Sequence, residues 1–137
     1  MKTYSMIFFT LITVFLLAAC GGEPEVVKPD PVSFNMETSD TLAFSVTELK
    51  MQSGAEVTIN ISNPGGLEHN WLLVAENKDP LTVSDADALY GVTSGSIGAG
   101  GMATVAFVAP GPGMYQYVCS VAGHAAAGMV GKIEVTP

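Results

Sequence analysis

One loop near the carboxyl end of the chain carries three side chains that can donate electron pairs to a metal ion. They are the thiol of Cys119, the imidazole of His124 and the thioether of Met129, each five residues after the one before. The residues between them are mostly Ala, Gly, Ser and Val. A lone Cys or Met is usually a core residue, so the signal lies in the combination. The loop is therefore a candidate metal site.

A metal site usually needs a fourth donor, and the only other histidine in the chain is His69. It follows a Gly-rich turn and precedes the apolar run 71–75. Two imidazoles, a thiolate and a weak axial thioether form the ligand set of a mononuclear blue-copper centre. The sulfur ligands suit Cu(I) and the imidazoles suit Cu(II). Such a site would accept both oxidation states with little movement, as one-electron transfer requires.

Alternating apolar and polar residues predict the strands that must bring these donors together. Such period-two alternation is typical of half-buried strands, and the run 71–75, apolar throughout, predicts a strand covered on both faces. Regular Gly and Pro turns favour an all-β sandwich with antiparallel pairing. The donors lie at strand ends or in the connecting loop, which places them at one end of the sandwich. The inward residues are Val57, Ile59 and Ile61; Ala103, Val105 and Phe107; Tyr115, Tyr117 and Cys119; and Met129, Gly131, Ile133 and Val135.

One short helix is predicted at about residues 85–90, inside a longer excursion from residue 76 to residue 101. Ser84 and Asp87 have the spacing of a capping box, and Gly91 would end the helix.

Residues 1–19 predict a bacterial lipoprotein signal peptide. They combine an early Lys, an apolar stretch too short for a comfortable bilayer span, and small residues before Cys20. The sequence LAAC resembles a lipobox, so we expect Cys20 to be the lipid-modified first residue of the mature chain. An ordinary signal peptide is the alternative. Residues 20–36 would form a flexible tether and residues 37–137 the domain. With Cys20 assigned to lipid, Cys119 has no disulfide partner; metal ligation explains such a thiol, as would a reactive or intermolecular role.

Two segments resemble the azurin and auracyanin branch of the cupredoxins. They are HNWLLV, which begins at His69, and PGPGMYQYVCSVAGHAAAGMVGKIEV, which begins at Pro110. The five-residue step from the cysteine to the second histidine is shared with both groups, and the equal step to the methionine is nearer to auracyanins. Ala122 stands where the family usually has Pro, which leaves the reduction potential open. Glu68 stands where azurins have Gly, which leaves a fifth backbone contact to the metal open.

The resemblance implies a Greek-key β-sandwich of about eight strands with one copper ion at one end. It carries the copper-ligand roles onto His69, Cys119, His124 and Met129. Asn70 and Ser120 would lie behind these ligands, and the backbone and side chain of Asn70 would steady the Cys119 loop. The excursion 76–101 would correspond to the helical flap of the family.

The ligand inventory predicts an electron carrier and not an enzyme. Both histidines are used by the first site, so neither a second catalytic copper nor a Ser-His-Asp set can be built from this chain. A dinuclear copper centre would need a second cysteine at position 123, which is Gly. The alternative is a copper buffer or delivery lipoprotein that uses the same ligands without redox traffic. A third possibility is a metal-free structural lipoprotein.

Charge limits the class of partner. The formal net charge is −8 and the chain has no arginine, so nucleic acid is a poor candidate. An acidic surface would favour a basic partner, such as a c-type cytochrome or a membrane oxidase or reductase complex, although solvation alone also explains it. Small residues at 65–67 and 125–128 predict a flat docking patch for weak encounters. We expect a lipid-anchored monomer outside the cytoplasm, moving electrons between respiratory or photosynthetic partners.

Overall fold

Two four-stranded sheets form the described part of the chain, residues 28–137 of a computed structural model. The strands are β1 (Val32–Ser39), β2 (Ala43–Phe44), β3 (Glu48–Gln52), β4 (Glu56–Ser62), β5 (Leu72–Ala75), β6 (Met102–Val108), β7 (Gly113–Val118) and β8 (Val130–Thr136). Sheet I has the strand order β2-β1-β4-β6, and sheet II has the order β3-β8-β7-β5. The predicted all-β sandwich is confirmed, and the strand order is consistent with a Greek key.

The core lies between the inner faces of the two sheets, where the predicted alternation places it. Val57, Ile59 and Ile61 of β4 are buried, and so are the inward residues of β8, whereas Lys132 and Glu134 are exposed. Burial of this apolar surface is the main force that holds the sheets together. The alternation predicted for β4, β6, β7 and β8 is confirmed.

An aromatic cluster occupies the centre of the core. The ring of Tyr117 stacks on Trp71 with centroids 5.4 Å apart and meets Phe44 edge to face at 5.2 Å. The Tyr117 hydroxyl donates to the carbonyl oxygen of Val46. Directly across the β7–β8 pair, Tyr117 faces Gly131, whose missing side chain leaves room for the ring.

Strand β5 is covered on both faces, as its apolar sequence predicts. Leu72 and Val74 point away from the core but are fully buried, because Val83 and Ala88 of the excursion pack over them. The excursion then returns along the edge of β5 that faces away from β7. There His69 pairs with Ile97, and Leu72 pairs with Thr93, in isolated antiparallel bridges.

Two strand pairs correct the expectation of antiparallel pairing. β1 runs parallel to β4, and β3 runs parallel to β8. Between β1 and β4 the chain crosses to the other sheet and back, so β4 can return in the direction of β1. Alternation shows which face of a strand is buried but not the direction of its neighbour.

A short helix is present at the predicted residues 85–90, but it is divided into single 3-10 turns. The region holds three single-turn 3-10 helices, Pro80–Thr82, Asp85–Asp87 and Leu89–Gly91. The capping box of Ser84 and Asp87 forms, but Ala88 is extended and Tyr90 has a left-handed φ of 56°. One turn fixes several residues for few hydrogen bonds, so a sequence this short does not propagate an α-helix.

The domain begins earlier than the predicted boundary at residue 37. Residues 32–36, assigned to the tether, form the first part of β1 and pair with β4. Val32, Phe34 and Met36 alternate with polar residues there, a strand signal that the preceding prolines and charges obscured. The signal peptide, Cys20 and residues 20–27 of the tether lie outside the described residues and stay predictions. No helix within residues 28–137 has the length and hydropathy of a bilayer span.

Candidate metal centre

Two backbone hydrogen bonds hold His69 in place. Its N–H donates to the Ile97 carbonyl at 3.1 Å, and its carbonyl accepts from the Ile97 N–H at 2.7 Å. The buried side chain of Asn63 links the loop before His69 to the segment that contains Ile97. Its amide nitrogen donates to the carbonyl oxygens of Leu67, Ile97 and Gly98 at 2.7, 2.9 and 3.0 Å. These bonds set the position at which the imidazole enters the core.

Asp40 holds the same loop from the solvent side. Its carboxylate accepts from the N–H of Gly66 at 2.9 Å and from the N–H of Leu67 at 3.0 Å. These two amides lower the pKa of Asp40 below its usual value. A Cβ on Gly65 would lie 2.2 Å from the carboxylate, so this contact requires glycine there.

Backbone hydrogen bonds also close the loop that carries the other three donors. The Cys119 N–H donates to the Met129 carbonyl at 3.1 Å, and the Met129 N–H donates to the His124 carbonyl at 3.0 Å. The 3-10 helix Ala125–Ala127 follows His124 and ends at Gly128, whose φ of 102° favours glycine. The loop thus brings the end of β7 and the start of β8 to His124.

The predicted donors converge at one buried point. The ligand atoms of His69, Cys119 and His124 all lie within 4.8 Å of one another. Cys119 Sγ is 3.4 Å from His124 Nδ1, and the two imidazole centroids are 5.0 Å apart. Met129 is fully buried in the same core cluster as Cys119. The four residues form an arrangement like a type 1 copper site.

The unsatisfied nitrogens of His69 test whether a metal ion fits. Both Nδ1 and Nε2 are buried and have no hydrogen-bond partner among residues 28–137. An unpaired buried polar atom is costly, so this ring needs an interaction that the described protein atoms do not supply. A metal ion between the imidazoles and the thiol would bind one of these two nitrogens. A set of two imidazoles, one thiolate and one thioether suits copper.

The protonation states fit metal ligation. Burial and the neighbouring His124 lower the pKa of His69, which keeps its imidazole neutral as a ligand must be. Burial raises the pKa of the Cys119 thiol, while backbone N–H groups of Asn70 and Val121 bonded to the sulfur oppose that shift. The free thiol therefore carries its proton at neutral pH, and metal binding releases it.

Asn70 and Ser120 are hydrogen-bonded to each other beside Cys119. The Asn70 N–H donates to Cys119 Sγ at 3.5 Å. The Ser120 N–H donates to Asn70 Oδ1 at 2.8 Å, and Asn70 Nδ2 lies 2.8 Å from Ser120 Oγ. The side chain of Asn70 thus bridges the segments that carry His69 and Cys119.

Sequence reasoning missed three residues that support the site. Asn63 donates a hydrogen bond to the backbone of the loop before His69, and Asp40 accepts hydrogen bonds from it. Asp85 accepts a hydrogen bond from Ser120, which follows Cys119. The Asn63-Pro64-Gly65-Gly66 turn was a visible signal for the first. Nothing local marks the other two, because their partners lie 15 or more residues away.

The acid response of the excursion follows from Asp87. Lys78 and Ser84 donate to its carboxylate and lower its pKa from 3.8 to about 2. Because the folded-state pKa lies below the unfolded one, this carboxylate stabilises the fold above pH 3.8 and loses that contribution as the pH falls through about 2. We expect an NMR titration of Asp87 to show that low midpoint. Asp87→Asn should remove this part of the acid dependence of unfolding, and an ordinary midpoint would contradict the contacts.

Comparisons with known proteins agree with this geometry. The family model described as copper binding proteins, plastocyanin/azurin family, matches residues 31–136. Auracyanin-B of Chloroflexus aurantiacus is 33% identical over 115 residues, which cover 72% of this chain and 49% of that protein. Auracyanin-A of the same organism is 30% identical over 148 residues, covering 89% of this chain and 91% of that protein. The chain thus spans about half of auracyanin-B and most of auracyanin-A.

Solved structures show the same likeness. Reduced auracyanin from Roseiflexus castenholzii has a TM-score of 0.68 at 25% identity, covering 77% of this chain and 97% of that one. Auracyanin A of Chloroflexus aurantiacus, described as a "blue" copper protein, has a TM-score of 0.66 at 28% identity, covering 77% and 99%.

Proposed function

We propose that this chain, which belongs to the plastocyanin/azurin family of copper-binding proteins, carries single electrons on one type 1 copper ion. The observation that carries the proposal is the buried donor set at the end of the sandwich, with both nitrogens of His69 left unpaired by residues 28–137. Copper, when bound there, supplies the Cu(I)/Cu(II) couple. His69, Cys119, His124 and Met129 are the proposed ligands.

The protein contributes a site whose shape is set without the metal. His69 is held by Ile97, and the loop of the other three donors is closed by its own backbone bonds. A donor set held this way changes little between oxidation states, so each electron requires little reorganisation. The surrounding core excludes water from the sulfur, since Cys119 and Met129 are fully buried.

His124 is the proposed route of the electron. It is 8% exposed, whereas the other three donors are fully buried. The residues that follow it, 126–128, are small and exposed, and Leu67 on the loop before His69 is 45% exposed. We propose that these residues form a docking patch for brief encounters with a redox protein.

The net charge of −8 supports a basic partner, such as a c-type cytochrome or a membrane oxidase or reductase complex. We also propose that the carrier works outside the cytoplasm as a monomer, anchored by lipid on Cys20. Anchoring would raise its effective concentration near membrane partners. Mass spectrometry of the membrane-extracted protein tests this point, and an intact unmodified amino terminus would rule the anchor out.

A redox titration separates a carrier from a copper buffer. We expect the copper-loaded, oxidised protein to absorb strongly in the visible, to bleach on reduction and to regain its colour on reoxidation. Stopped-flow mixing with a small redox reagent should show fast exchange, and the zinc-loaded protein is the colourless control. A protein that holds Cu(I) and resists oxidation would instead be a buffer. Copper titration without a thiolate band would leave a structural lipoprotein.

A further inference from the structure

Asp85 joins the excursion 76–101, called the flap from here on, to the residues behind Cys119. Its Oδ1 accepts from the Ser120 hydroxyl at 2.9 Å and lies 3.4 Å from Asn70 Nδ2. The other flap aspartates make their bonds within the flap. Asp79 accepts from the Leu81 N–H, and Asp87 accepts from Lys78 and Ser84. Among the described aspartates of the flap, Asp85 therefore makes the contact with the metal end.

The flap holds Asp85 in place from both sides. Ser84 and Asp87 form the capping box of the turn that begins at Asp85. On either side of that turn, Val83 and Ala88 pack over the outer face of β5. The backbone that carries Asp85 is thus held by local hydrogen bonds and by apolar packing.

The carboxylate of Asp85 sets the direction of the hydrogen bonds in this cluster. Because Asp85 can only accept, the Ser120 hydroxyl must donate to it. The hydroxyl oxygen is then free to accept from Asn70 Nδ2 at 2.8 Å. That choice turns Asn70 Oδ1 toward the Ser120 N–H, which donates to it at 2.8 Å. A chain of bonds with one fixed direction is stiffer than one in which the amide and hydroxyl can reverse.

We propose that Asp85 is a positioning residue that fixes the Asn70–Ser120 pair behind Cys119 and favours the oxidised state of the centre through its negative charge. The positioning role follows from the hydrogen bonds of Asp85 to Ser120 and Asn70, because Ser120 adjoins Cys119 and the Asn70 N–H donates to the sulfur. The effect of charge follows because a nearby anion stabilises the more positive state of a centre. This second part rests on the proposed electron-transfer function, whereas the first does not.

Amide exchange tests the positioning role in the metal-free, full-length protein. In Asp85→Ala, we expect the Ser120 N–H to exchange about tenfold faster, as loss of a charge-assisted hydrogen bond predicts. Asp79→Ala is the matched control, since it removes an equal charge from the same flap without touching Asn70 or Ser120. Thermal unfolding verifies that both variants fold. An unchanged Ser120 exchange rate in folded Asp85→Ala would overturn the proposal.

The reduction potential tests the charge in the copper-loaded protein. We expect Asp85→Asn to shift the one-electron equilibrium toward the reduced state by about threefold or more relative to Asp79→Asn. The difference should shrink at high ionic strength, because Asp85 is exposed. Equal potentials in the two variants would overturn the proposed charge effect. If the wild type itself shows no reversible reduction, the proposed function fails, and amide exchange still decides the positioning role.

Discussion

Copper-loaded Cys119→Ser protein will show no intense visible absorption. The strong band of a type 1 site arises from the bond between a thiolate and Cu(II), and Cys119 is the one cysteine within residues 28–137. A serine hydroxyl does not ionise near neutral pH, and the Met129 thioether is a neutral donor. The variant should still fold, because the loop is closed by backbone bonds that do not use the sulfur. A visible spectrum of the oxidised protein measures the result.

The chain supplies a matched control. Its only other cysteine is Cys20, which the sequence assigns to lipid, so Cys20→Ser should keep the band unchanged. Circular dichroism should show the same strand content in both variants. An intact band in Cys119→Ser would remove this residue from the site and with it the proposed ligand set.

Gly131→Ala will destabilise the fold more than a small surface change would. The added Cβ would lie 2.0 Å from Cζ and 2.3 Å from Oη of Tyr117. The ring cannot move aside, because Trp71 and Phe44 pack against it and its hydroxyl is bonded to Val46. Overpacking typically costs about 1–3 kcal/mol, and this contact is close enough to place the cost at the upper end. Thermal unfolding should show a Tm lower by roughly 10 °C or more.

Gly111→Ala is the control for backbone effects. A Cβ at that glycine would meet no atom within 4 Å, and its φ is not in the left-handed region. Its stability should stay within about 0.5 kcal/mol of the wild type. A Gly131→Ala protein as stable as this control would show that the Tyr117 ring has room to shift.

The sequence predicted which face of each strand is buried, because burial alternates with a period of two. Residues such as Ile59 and Ile133 therefore point inward as predicted. The parallel direction of the β1–β4 pair could not be predicted, since these strands are joined through the other sheet. The predicted helix is interrupted at Ala88, which is extended and packs against β5.

The four donors were predictable because each has a distinctive side chain and a place at a strand end or in the connecting loop. Their supports were harder to foresee, since Asp and Asn are common on surfaces and in turns. Asp40 reaches the His69 loop from the β1–β2 turn, a contact that only the fold creates. Asp85 meets Ser120 across 35 residues of chain for the same reason.

The segment of the flap that returns along β5 has a consequence for solubility. An open sheet edge offers unpaired backbone groups to which another molecule can add a strand and so start an aggregate. Beside the ligand His69, these groups are already used: Trp71 and Leu73 bond Ser94 and Val92 as the chain returns. The flap thus covers the edge of the sheet nearest the metal site. A neighbouring molecule is then less able to add a strand at that edge.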